Sequence, residues 1–238
     1  MHRMFVTFCI VVLFSILGSC ASSWLKINPA PIAPLAGFCL ILAGSSCVAM
    51  ELGDWHVIGS IAGISIVAEL TGLCTGIPFG RYEYTGRWWP SIPIGFGHTF
   101  PLLLPLSWIM IVGGSYLAIR PYCAGLPLLA SISALAVLID APMERAMTQV
   151  FHYWSWIQPG PIFGAPIANS AGWFLVSALA SIPFLSRSRP YPTHYGARVL
   201  GVFCLFISAS GLLLSVDAAW CVLAYVGTIL CLSTSRSQ

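Results

Sequence analysis

The chain has 238 residues, of which 58% are apolar and 7% charged, and its mean hydropathy is +0.89. Soluble domains carry about a quarter charged residues, so this composition excludes a soluble globular enzyme and a disordered tail. A net charge of +3, from ten basic and seven acidic side chains, makes no basic patch and excludes nucleic acid as a partner.

Charge-free stretches mark the elements in chain order. Arg3 to Lys26 encloses 22 uncharged residues, Lys26 to Glu51 encloses 24, Arg87 to Arg120 encloses 32, Arg120 to Asp140 encloses 19 and Arg145 to Arg187 encloses 41. Arg198 to Asp217 and Asp217 to Arg236 enclose 18 each. A membrane-crossing helix needs about 20 mostly apolar residues. No stretch alternates polar and apolar as a membrane β-strand does. The pattern predicts an all-α polytopic membrane bundle in one domain, with helices at 4–23, 33–50, 57–76, 100–119, 124–145, 166–186, 198–215 and 217–234. The first stretch has a second reading as a signal peptide, because a short basic start leads to Leu17-Gly18-Ser19-Cys20. Asp217 leaves only a tight turn between the last two helices.

With the N-terminus on the cytoplasmic side, the inner segments carry Arg3, Arg120, Arg187, Arg189, Arg198 and Arg236. The outer ones carry Lys26, Arg81, Arg87 and Arg145. The excess favours that orientation. It places the end of the third helix, the 77–99 loop, the end of the fifth helix, the 146–165 loop and the start of the sixth on one face.

That face holds the residues least expected in a bilayer. Glu69 has 14 uncharged residues before it and 11 after it. A lone carboxylate in hydrocarbon costs roughly 3 kcal/mol or more, so Glu69 is expected to face a cavity or a partner. Asp140 and Glu144 share a helix face if the helix continues past Pro142; proline can also kink it there. Two close carboxyls resist ionising together, which equips such a pair as general acid and general base. A second reading pairs Glu144 with Arg145 at the membrane edge.

The loop Gly80-Arg81-Tyr82-Glu83-Tyr84-Thr85-Gly86, followed by Trp88 and Trp89, is dense in aromatics. An interfacial aromatic belt accounts for the tryptophans but not for Arg81 and Glu83 between glycines. The loop reads as the wall of a site. The second loop, Phe151-His152-Tyr153-Trp154-Ser155-Trp156 and then Gly164, Pro166, Asn169 and Trp173, has the same character. Asn169 is either a helix cap or a site donor, and His152 reads as an interfacial histidine.

The nine cysteines form no Cys-x-x-Cys pair and read as small apolar packing residues. The five histidines have no paired-ligand spacing, and Asp140 and Glu144 have no second acidic cluster to hold a magnesium diphosphate. No metal site is therefore expected.

At these strings the chain resembles a known family. Gly80-x-Tyr82-x-Tyr84-Thr85, then Pro93, Pro101, Pro105 and Trp108, is similar to the first block of the membrane carotenoid 1,2-hydratases of the bisanhydrobacterioruberin hydratase and gamma-carotene 1'-hydroxylase type. Asp140-x-x-Met143-Glu144, Tyr153-Trp154-x-Trp156, Gly164-x-Pro166-x-x-Asn169 and Gly172-Trp173 resemble the second block. The resemblance covers roughly 69–180. It implies addition of water to the terminal isoprenoid double bond of an acyclic C40 or C50 carotenoid, with no cofactor, in a prokaryotic cell membrane. The substrate partner is then a lipid-soluble carotenoid met within the membrane lipid.

The residues suit that chemistry. An unactivated trisubstituted alkene needs a shielded acid, which Asp140, Glu144 or Glu69 can supply. The tertiary cation needs a negative ring face. Asp140 is the expected acid, with Glu144 or Glu69 orienting water. Arg81, Tyr82, Tyr84, Trp154, Asn169 and Trp173 are the expected substrate-binding residues. Two other readings share these features: a carotenoid cyclase or isomerase, which also starts by protonating an alkene, and a transporter using buried acids as a proton relay.

Overall fold

The computed structural model describes residues 1–26, 32–186, 195–213 and 217–233. Arg187, Arg189 and Arg236, half of the inner-side charge count, lie outside them. Among the described residues six helices are long and apolar enough to cross a membrane: α1 (His2–Leu25), α2 (Ala33–Leu52), α3 (Trp55–Thr75), α5 (Gly125–Val150), α6 (Ile167–Ser186) and α7 (Tyr195–Leu212). Two shorter apolar helical rods join them, α4 (Leu104–Ile119) and α8, which spans Ala218–Ser233. The fold is an all-α polytopic membrane bundle.

Local chemistry sets the helix ends. Gly53 closes α2 in the left-handed region at φ 59°, and the Asp54 carboxylate accepts the His56 and Val57 amides at 2.9 and 3.3 Å. The result is a tight α2–α3 turn with the next helix already capped. Gly76, at φ 81°, ends α3. The fourth helix begins at Leu104 rather than at residue 100, because β3 (His98–Pro101) pairs antiparallel with β2 (Ser91–Gly95). Pro105 falls in the first turn of α4, where a missing N–H costs nothing.

The α5 helix runs through Pro142 to Arg145, so Asp140 and Glu144 keep their shared face. Two π-helical turns interrupt the rods, Ile109–Gly113 in α4 and Ala146–Val150 at the end of α5. Each begins within two residues of a side chain of the site described below, a placement common for such turns.

Contacts between helix ends fix their relative sidedness. His2 Nδ1 lies 3.3 Å from the Tyr195 hydroxyl, and the Gly196 amide donates to Glu51 at 2.6 Å. At the other end the Ser23 hydroxyl donates to the Leu213 carbonyl at 3.0 Å, and Arg145 pairs with Asp217 at 2.9 Å. The expected alternation of spans follows. The Glu144–Arg145 pair considered from sequence does not form, because Arg145 turns to the α7–α8 junction.

Exposed apolar residues such as Leu126 and Tyr225 mark the lipid-facing surface. The interior is close-packed: Tyr116 and Phe184 stack at 3.7 Å between α4 and α6. A Cβ on Gly201 would come within 2.9 Å of the Gly227 carbonyl, so small residues let α7 and α8 touch through backbone.

Candidate active site

The two aromatic loops are one structure. β1 (Tyr82–Tyr84) pairs antiparallel with β4 (Trp154–Trp156), in the register Tyr82 with Trp156, Glu83 with Ser155 and Tyr84 with Trp154. Alternation along a strand sends neighbouring side chains to opposite faces. Glu83 and Ser155 are exposed. The four rings point the other way, over the ends of α3 and α5. The hydroxyl of Thr99 on β3 donates to the Tyr84 carbonyl at 3.4 Å and ties the β2–β3 hairpin to this ribbon.

Beneath the ribbon lies a cavity of about 60 Å³, several times the ~10–15 Å³ that one water requires. All three acids singled out from sequence line it, and each is under 7% exposed. Glu69 comes from α3. Its Oε2 accepts the Tyr82 hydroxyl at 2.5 Å and the Tyr84 hydroxyl at 3.1 Å, and its Oε1 accepts the Trp108 indole N–H at 3.2 Å. Glu144 comes from α5. Its Oε2 accepts Trp154 and Trp156 at 3.0 and 2.9 Å.

Asn169 decides between its two readings. The N-cap of α6 is Pro166, so Asn169 is not the cap. Its amide nitrogen donates to Asp140 Oδ2 at 2.9 Å and to Glu144 Oε1 at 3.0 Å. Both amide protons are committed, so it positions the acid pair. Asp140 Oδ1 accepts from no described group.

Trp173 lines the cavity and stacks on Trp108, with ring centroids 3.9 Å apart and planes 12° from parallel. Phe79, Trp88 and Met143 add apolar wall. Burial first, and then the negative charge of Glu69, holds the Tyr82 and Tyr84 phenols well above the usual range, so they act as O–H donors. Burial pushes Tyr153, stacked on Trp88 at 5.3 Å, up to about 12.

The structure does not bring Arg81 into this group. Its side chain is exposed and does not line the cavity; its carbonyl accepts the Ile157 amide at 3.0 Å. His152 is exposed too and bonds back to Thr148. Sequence reasoning set no site role for Trp108 and Trp156, which both donate to the acids. The Trp108 signal was its place in the first resembling block, after Pro101 and Pro105. The Trp156 signal was its two-residue spacing from Trp154.

Three buried acids under an aromatic ribbon, at one end of a membrane bundle, define a membrane protein with a buried acid-and-aromatic site. The family described as carotenoid biosynthesis protein matches residues 32–233, and the chain belongs to it. No curated protein and no solved structure matches the chain.

Proposed function

We propose that this carotenoid biosynthesis protein is an enzyme that hydrates the terminal isoprenoid double bond of an acyclic carotenoid to a tertiary alcohol. One observation carries the reading: the Asn169 amide bridges Asp140 and Glu144 at a cavity walled by aromatic rings.

The hydrogen bonds divide the labour. Glu144 accepts three donors and is satisfied as an anion, whereas Asp140 accepts one. The proton is best carried on Asp140 Oδ1. Asp140 gives it to the alkene CH carbon, and the π pair becomes the new C–H bond. Positive charge then rests on the dimethyl-substituted carbon, facing the rings of Tyr82, Tyr84, Trp154 and Trp173. Water adds there, and its proton passes to Glu144 and back to Asp140 through their shared hydrogen-bonded site. The sum is alkene plus water to alcohol. The site's own residues suffice for these steps without a cofactor.

The membrane setting supports the substrate class. A long polyene partitions into hydrocarbon, and the site lies among helices with apolar outer faces. The test is expression of the full chain in a lycopene-producing bacterium, with pigment analysis by mass spectrometry. A product heavier by one water supports the hydratase. A cyclic isomer of unchanged mass replaces it with a cyclase, and unaltered pigment from correctly inserted protein removes lycopene as the substrate.

A further inference from the structure

The charge of the cavity wall is one-sided. Glu69, Asp140 and Glu144 line it, and no Lys, Arg or His does. No cationic side chain is therefore present within the wall to neutralise the acids. Asp140 Oδ1 accepts from no described group, although the residue is 1% exposed and lines the space.

The rings on the wall are not passive hydrocarbon. Tyr82, Tyr84 and Trp108 give their O–H or N–H to Glu69, and Trp154 and Trp156 give theirs to Glu144. A ring whose polar proton rests on an anion gains electron density in its π system. Its face becomes more negative and attracts a cation more strongly. In a desolvated site this attraction is worth more than at a surface. An anionic ligand would meet uncompensated repulsion, and a neutral alkene meets the full attraction only once it is protonated.

We propose that the cavity is a binding site for an amphiphilic cation: a tertiary ammonium or carbocation centre seated among the five carboxylate-bonded rings, with an apolar chain trailing toward lipid. The proposal rests on the hydratase reading for its choice of chain, but it extends to ligands that never react. It assigns Glu69 a different task from the acid pair. Glu69 touches rings rather than the reacting carbon, so it is a positioning residue that raises the electron density of three of them.

A protonated N,N-dimethylalkylamine copies the shape and charge of the cation formed by protonating the alkene, and its isosteric hydrocarbon with an isopropyl end copies the shape alone. The experiment measures binding of N,N-dimethylhexadecylamine and of that hydrocarbon to the full chain in lipid nanodiscs at neutral pH. Tryptophan emission is the readout, and empty nanodiscs correct for partitioning. The expected result is at least ~10-fold tighter binding of the amine, with most of the preference lost in folded Glu69→Gln. Where that variant does not fold, Tyr82→Phe with Tyr84→Phe detaches two rings from Glu69 and should shrink the preference likewise. Equal binding of amine and hydrocarbon to the unaltered chain overturns the proposal, as does an undiminished preference in the folded variants. No turnover is needed, so the two readings fail separately. Amine preference without hydrated product removes only the reaction, and hydrated product without amine preference removes only the cation site.

Discussion

Tyr84 and Trp154 face each other across the β1–β4 ribbon with ring centroids 6.2 Å apart, yet they serve different acids. The Tyr84 hydroxyl bonds Glu69 from α3, and the Trp154 indole bonds Glu144 from α5. The ribbon thus joins two carboxyl groups from distant parts of the chain into one roof.

Asp140→Asn keeps the size and the hydrogen-bonding capacity of the side chain but removes the transferable proton. Hydrated carotenoid should fall by at least ~100-fold, the usual scale for losing a general acid. Pigment extraction from cells with equal amounts of membrane-inserted protein checks this. Unchanged product would remove Asp140 from the mechanism.

Asn169→Leu strips one donor from each acid and leaves both buried. The cost should be about 2–6 kcal/mol, at 1–3 kcal/mol for each of the two acids. A thermal midpoint several degrees lower in detergent should accompany the loss of product. Asn169→Asp should be worse, because it adds a third carboxyl to the pair.

The tyrosines set an alkaline limit. Tyr82 and Tyr84 are held well above the usual phenol value by burial and by Glu69, and burial pushes Tyr153 to about 12. Above about pH 10 the unfolded chain releases these protons and the folded chain keeps them. The stability they support is therefore full below the unfolded value and falls as pH rises through the folded one. Unfolding midpoints measured from about pH 9 to 12 should decline, and Tyr82→Phe with Tyr84→Phe should flatten the decline by about two protons. An unchanged slope would show that these phenols already ionise in the folded state.

Arg145 and Asp217 are both partly exposed, at 30% and 21%. Such pairs contribute about 0–1 kcal/mol. Arg145→Gln should leave stability nearly unchanged and retain most product, whereas Glu144→Gln, one residue earlier, should abolish it. A comparable loss in both would place Arg145 in the site.

The spans were legible because charge is costly in hydrocarbon, so a long stretch without it marks a segment that lies there. Glu69, Asp140 and Glu144 were legible for the same reason, as exceptions to it. The ribbon was not. Three-residue strands are too short to show a period of two, and Tyr82 meets Trp156 only after the intervening helices have folded. Arg145 drew attention to its neighbour Glu144, but its partner lies 72 positions away in sequence. Arg81 stands next to Tyr82 just before β1 and is exposed, because adjacent side chains of an extended chain take opposite faces.

The single amide that spans the acid pair also acts as a ruler. Two acceptors 2.9 and 3.0 Å from one planar NH₂ group lie roughly 5 Å from each other. On the proposed hydration, hydrogen and hydroxyl drawn from so short a baseline would reach the olefin from the same side. Addition across that bond would be syn, and a substrate with one isotopically marked methyl, converted in heavy water, would carry that handedness in its product.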